Sequence, residues 1–131
     1  PDSGGVWRSL GTALRQVDEL SASLEALDRS IAVQGGHAAT HVERGLTLVA
    51  MERGDEAVEA FGEATRLAPD SATAHCELGR ALQRAGRLDE ALVALRRGHE
   101  LGQAAGRWTN PSAQWIAECE ALIRQRDAIR P

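Results

Sequence analysis

Four histidines, two cysteines and a few paired acids are the residues of this 131-residue chain whose types could do chemistry. His37 and His41 stand four apart, a spacing that on one helix lets two imidazoles share a metal ion. No zinc-protease pattern and no third ligand accompany them, so no metal site is expected. Cys76 and Cys119 are the only thiols, and without CxxC spacing they describe neither a disulfide framework nor a zinc site. Both are expected to be reduced, partly buried small hydrophobes. The acid pairs Asp55 with Glu56 and Glu118 with Glu120 fall at expected helix starts or on solvent faces, with no nucleophile or cleft beside them. No Ser sits in a nucleophile elbow. All fifteen basic residues are Arg, and the lack of Lys removes a Walker-type phosphate loop, a Schiff-base amine and the strand lysine of a protein kinase. The expectation is a non-enzyme with no cofactor.

Positioning elements must be helical and closely packed. Hydrophobic residues make up 43% of the chain, yet it has three Trp, one Phe and no Tyr, so Ala, Leu, Val and Gly must build the core. A net charge of −4 and a pI near 5.6 offer no general attraction to phosphate backbones, and nucleic acid is not an expected partner. No apolar run reaches membrane-span length and no signal pattern opens the chain, so a cytoplasmic protein with no membrane partner is expected. The chain starts at Pro1 without Met, and residues 1–5 read as a linker within a longer protein.

One pattern recurs every 34 residues: Trp7, Leu10, Gly11, Leu14, then His41, Arg44, Gly45, Leu48, then His75, Leu78, Gly79, Leu82. The second half of each copy keeps register through Ser23, Leu27, Ser30, then Ala57, Phe61, Ala64, then Ala91, Leu95, Gly98. This periodicity resembles the tetratricopeptide repeat. The expected fold is an all-α tetratricopeptide-repeat superhelix of three helix-turn-helix units, about 4–37, 38–71 and 72–105, with a C-terminal capping helix. Helices are expected near 6–17, 21–33 and 38–52, then after a turn at Gly54 and Asp55 up to Pro69, whose ring stops a helix. Residues 69–71 should cap the next helix. The third unit turns at 86–89, its second helix ends at Leu101 and Gly102, and a loop over 104–110 follows. Asn110 and Pro111 read as a helix start for 111–130, with Trp115, Ile116, Cys119, Leu122 and Ile123 as its buried stripe and Glu118, Glu120, Arg124, Arg126 and Asp127 on its outer side.

The resemblance implies more. In that family the eighth place of each unit, here Gly11, Gly45 and Gly79, is small because the two helices of a unit approach there. Three Gly inside helices, each costing about 1 kcal/mol against Ala, are what such a steric demand requires. The family binds extended peptides on a concave face made by the first helix of each unit. Carried onto this chain, that face includes Arg8, Thr12 and Arg15, then Val42, Leu46 and Val49, then Cys76, Arg80, Gln83 and Arg84. An apolar centre between arginine-bearing ends would suit an acidic-apolar peptide or protein segment. Members that grip a chaperone's C-terminal carboxylate use Lys, Asn, Asn, Lys and Arg at places that here hold Arg8, Thr12, Glu43, Thr73 and Glu77, and two acids there would repel the ligand. Residues 94–102 with Trp108, Pro111, Ser112, Ala113 and Trp115 resemble the end of such repeats in large bacterial, planctomycete-type serine/threonine kinases. The implied function is a non-catalytic interaction module of a larger protein, with a structural spacer or homodimerisation segment as the alternative.

Overall fold

A computed structural model describes residues 3–129. Seven helices and no strand occur among them. They divide into two compact units, one up to Pro69 and one from Asp70 onward. The first holds α1 (Gly4–Gln16), α2 (Leu20–Gln34), α3 (Ala38–Ala50) and α4 (Gly54–Leu67); the second holds α5 (Ala72–Arg84), α6 (Leu88–Ala105) and α7 (Ser112–Ala128).

In the first unit α1 pairs with α2 and α3 with α4, while α2 packs on α3. A Cβ on Gly11 would lie 2.6 Å from Leu27 Cγ, and one on Gly45 would lie 2.5 Å from Phe61 Cε1. Leu27, Phe61 and Leu48 are almost wholly enclosed. Ser23 and Ser30 serve as small residues whose buried hydroxyls find partners: Ser23 Oγ donates to Gly11 O at 2.6 Å and Ser30 Oγ to Gly4 O at 2.7 Å. The same seam recurs in the second unit, where a Cβ on Gly79 would meet Leu95 Cγ at 2.6 Å.

All three first helices end in one hydrogen-bond pattern. The residue in the left-handed region is Asp18, Glu52 or Gly86, with φ 65°, 59° and 81°. The amide after it reaches back five residues, from Glu19 to Leu14 O, Arg53 to Leu48 O and Arg87 to Leu82 O. This is a Schellman closure that satisfies the free carbonyls of the helix end. The turn in the second repeat therefore falls at Glu52, not at Gly54 and Asp55, which already belong to α4. Glu52 accepts a conformation costing an L-residue about 1–2 kcal/mol because helices on both sides hold it. Glu52→Gly should stabilise the chain by roughly 0.5–1 kcal/mol, once the entropy Gly loses on folding is deducted. Urea denaturation of the two proteins checks this, and Asp18→Gly should gain less, since Asp tolerates the left-handed region better.

Other boundaries shift for identifiable reasons. The expected linker at Gly4 and Gly5 is the first turn of α1, capped by Ser3, whose Oγ accepts the Val6 amide at 3.4 Å; Pro1 and Asp2 lie outside the described residues. Ser71 caps α5 through the Ala74 amide at 3.1 Å. Helix α6 runs through Gly102 to Ala105 and closes at left-handed Gly106. Gly102 is a seat rather than a stop: the chain doubles back and lays the Trp108 indole where a Gly102 side chain would be, at 2.3 Å from its Cβ position. Helix α7 begins at Ser112 with Pro111 as its cap residue and no side-chain cap from Asn110.

Candidate functional site

Helix α7 packs against α6 and touches α5. Cys119 is its buried centre, with Sγ 3.5 Å from Leu88 O. The stripe expected around it is only partly inward, since Leu122 is exposed. Two residues assigned to the outer side instead bind α6: Glu120 accepts Arg96 Nη2 at 2.9 Å, and Arg126 bridges Asp89 through both terminal nitrogens at 2.9 and 3.3 Å. At the helix start, Ser112 Oγ lies 2.7 Å from His99 Nδ1 and accepts Trp108 Nε1–H at 2.8 Å. A Ser and a His are thus brought together, but the oxygen is closed to solvent and already holds Trp108. Its role is a clasp on the α6–α7 connection.

On the α5 side of α7, Arg80, Gln83 and Arg84 face Trp115 and Glu118 around a cavity of about 290 Å³. The Arg80 guanidinium carbon sits 4.5 Å from the Trp115 ring centre, a cation–π contact that orients the charge. Glu77 approaches Arg80 Nη1 at 3.7 Å. Arg84 is exposed and enters no ion pair among the described residues. Three sequence-predicted residues therefore share one pocket, joined by Trp115 of the expected buried stripe and Glu118 of the expected outer side. Cys76 is a correction. It is buried, with Sγ 2.4 Å from where a Gly98 side chain would begin, and burial, aided by Glu77, pushes its thiol up to about 11. Close approach of α5 to α6 at Gly98 leaves Cys76 turned inward and covered, not on an open face.

The predicted residues of the first unit form a separate group. Arg8, Thr12, Arg15, Val42, Leu46 and Val49 are all half-buried. Arg15 Nη2 donates to Glu43 at 2.7 Å and Thr12 Oγ1 to the same carboxylate at 3.2 Å. The expected arginine-bearing end is thus largely neutralised at Arg15, and Glu43 is engaged by its own chain.

His37 precedes α3 as its cap residue and is exposed, whereas His41 lies inside α3 with its ring beside Gly36, so their spacing of four does not put them on one helix face. No cluster of three potential metal ligands occurs among the described residues. His41 titrates below its usual range, mainly through burial, with Arg44 and Arg66 adding and Glu63 opposing. Its folded pKa is depressed, so the contribution to stability is whole above the unfolded value near 6.5 and is lost as pH falls below it toward the folded value. Melts between pH 7 and 5 should show a steeper loss for the natural chain than for His41→Gln.

The pairs with small-residue seams, Schellman turns and a 34-residue period define a tetratricopeptide-repeat fold. Residues 42–105 match the tetratricopeptide repeat family model. Comparison with curated protein sequences finds no match. Among solved structures, the chain is similar to the Sgt2 TPR domain from Aspergillus fumigatus, with TM-score 0.87, 18% identity, and 98% of this chain and 85% of that one covered. It is similar to the first TPR of Spaghetti (RPAP3) bound to HSP90 peptide SRMEEVD, with TM-score 0.85, 12% identity, and coverage of 93% and 94%. Similarity to MamA has TM-score 0.76 and 27% identity over 82% of this chain, which spans 63% of the MamA chain. The fold is one that commonly mediates protein–protein interaction, and no described helix is long and apolar enough to cross a membrane.

Proposed function

We propose that this chain is a non-catalytic recruitment module that holds an acidic-apolar segment of a partner protein against the first-helix face of its repeats. The observation that carries this is the cavity between α5 and α7, where Arg80, oriented over the Trp115 ring, is joined by the hydrogen-bond donors of Gln83 and Arg84. Arginine forks pair bidentately with carboxylates; within the first unit, Val42, Leu46 and Val49 on α3 separately offer apolar surface of the kind an extended segment uses. A solved structure of the same fold holds a peptide with two glutamates and an aspartate. Here Glu43 and Glu77 stand where a tail clamp needs an amide and a cation, so the binding mode we infer is different. A bacterial serine/threonine kinase is the parent context we favour, with the module acting in the cytoplasm to bring substrates or regulators to the enzyme. Fluorescence anisotropy with a labelled Leu-Glu-Leu-Asp-Leu peptide tests the reading. Arg80→Glu with Arg84→Glu should weaken binding at least about tenfold, because two attractive charges become repulsive. Equal binding by both proteins would sink the assignment of this face.

One observation favours the structural alternative. Trp7, Leu10, Leu14, Ala22 and Ala26 border a hollow of about 210 Å³ on the α1–α2 pair, and Leu10 is 42% exposed. One repeat later the same face carries Leu48, fully enclosed, and Arg44, bonded to Asp28 of α2 at 2.7 Å. A surface that elsewhere in this unit is covered by a helix is open here, as a self-association face would be. Light scattering over a concentration series on the natural chain and Leu10→Glu decides between the readings.

A further inference from the structure

The α5–α7 pocket has walls of opposite charge. On α5, Arg80 and Arg84 are four apart and so share one helix face. Arg80 is held over the Trp115 ring at 4.5 Å, while Arg84 stands exposed one turn on. On α7, Glu118 lines the same cavity and is exposed. Gln114 Nε2 donates to Glu118 Oε1 at 3.1 Å, which uses one of the carboxylate's acceptor positions and holds it in place. Gln83, between the walls, offers both a donor and an acceptor. The volume of about 290 Å³ lies at the small end for ligand pockets and is enough for side-chain heads.

We infer that this pocket selects a peptide segment carrying an acidic side chain next to a basic one, and disfavours a run of acids. The inference rests on the reading of the chain as a peptide recruiter and names the chemistry it reads. The ligand's carboxylate meets the two guanidiniums, and its ammonium or guanidinium meets Glu118. A second acid in place of the base would lie against Glu118 and be repelled. Specificity then comes from a repulsive element on α7 as much as from attraction on α5. Helix α7 is in this view half of the recognition site and not only a cover for α6.

Four acetylated, amidated peptides that differ only at two central positions test this: Leu-Glu-Lys-Leu, Leu-Glu-Gln-Leu, Leu-Gln-Lys-Leu and Leu-Glu-Glu-Leu. Binding is read by NMR titration of the intact chain, following the Trp115 indole N–H with the Trp7 signal as control. The Glu-Lys peptide should bind roughly fivefold more tightly than either single-charge peptide, the scale of a partly exposed charge pair. Glu118→Gln, at an exposed position where the fold is expected to persist, should cancel the advantage of Lys and raise affinity for the Glu-Glu peptide. Arg84→Gln should lower affinity for every Glu-containing peptide. If the peptides bind but Glu118→Gln leaves their order unchanged, the dipolar pocket is wrong and the recruiter reading survives. If no peptide moves the Trp115 signal or any α5 amide, the recruiter reading fails at this site and the inference falls with it.

Discussion

Gly98→Ala should destabilise the chain by about 2–3 kcal/mol, although the same exchange elsewhere in a helix stabilises. A Cβ at Gly98 would lie 2.4 Å from Cys76 Sγ, 2.9 Å from the Cys76 amide nitrogen and 3.0 Å from Ala72 O. The sulfur can rotate away, but two of the three contacts are α5 backbone, which moves only if the whole helix moves. Better helix propensity returns about 1 kcal/mol and cannot offset a lost seam. Gly62 in α4 provides the control, because nothing lies within 4 Å of its added Cβ. Gly62→Ala should stabilise by about 0.5–1 kcal/mol. Thermal and urea melts followed by circular dichroism read both signs. Adding Cys76→Ala to Gly98→Ala should recover only a small part of the loss, because the backbone contacts remain. Full recovery would mean that the sulfur alone sets the approach of α5 to α6.

Removal of residues 107–131 should have the other large effect: a loss of at least about 3 kcal/mol, followed by concentration-dependent association. The deletion takes away Trp108 from its seat on Gly102, the buried Cys119 and the Ser112 clasp on His99. The ion pairs of Glu120 with Arg96 and Arg126 with Asp89 go as well, but solvent screening leaves such exposed pairs little stabilising effect. Most of the loss therefore comes from apolar surface of α6 and α5 returned to water. Sedimentation or light scattering with a parallel melt checks it. A truncated chain that stays monomeric and melts unchanged would show that α7 neither caps nor stabilises. The same truncation removes Trp115 and Glu118, so peptide binding should be lost with it under the recruiter reading.

The repeat pattern made the helices and their seams readable. Gly11, Gly45 and Gly79 face Leu27, Phe61 and Leu95 in the structure because a 34-residue period repeats the helix-to-helix contact along with the residues. Local signals misled where packing overrules them. Glu52 turns the chain in place of Gly54 because the Schellman bonds and the flanking helices demand a left-handed residue at that register whatever its side chain. Gly102 looked like a helix end and proved to be the floor under Trp108.

Readability stopped sooner at the candidate site. The family resemblance assigns a residue to one side of its own helix, and through it Arg80, Gln83 and Arg84 are expected together. It carries no information on which other helix arrives opposite that side. Helix α7 lies outside the 34-residue period, so the arrival of Trp115 and Glu118 beside those arginines, the loss of Arg15's charge to Glu43 and the burial of Cys76 against Gly98 had no signal in the pattern. The chain by itself determined the repeats and their seams, since a periodic pattern of small and bulky residues has one way to pack within a unit. Tertiary structure alone decided which charges remain available, because an ion pair or a cavity is made by two surfaces whose meeting depends on the path of the backbone between them.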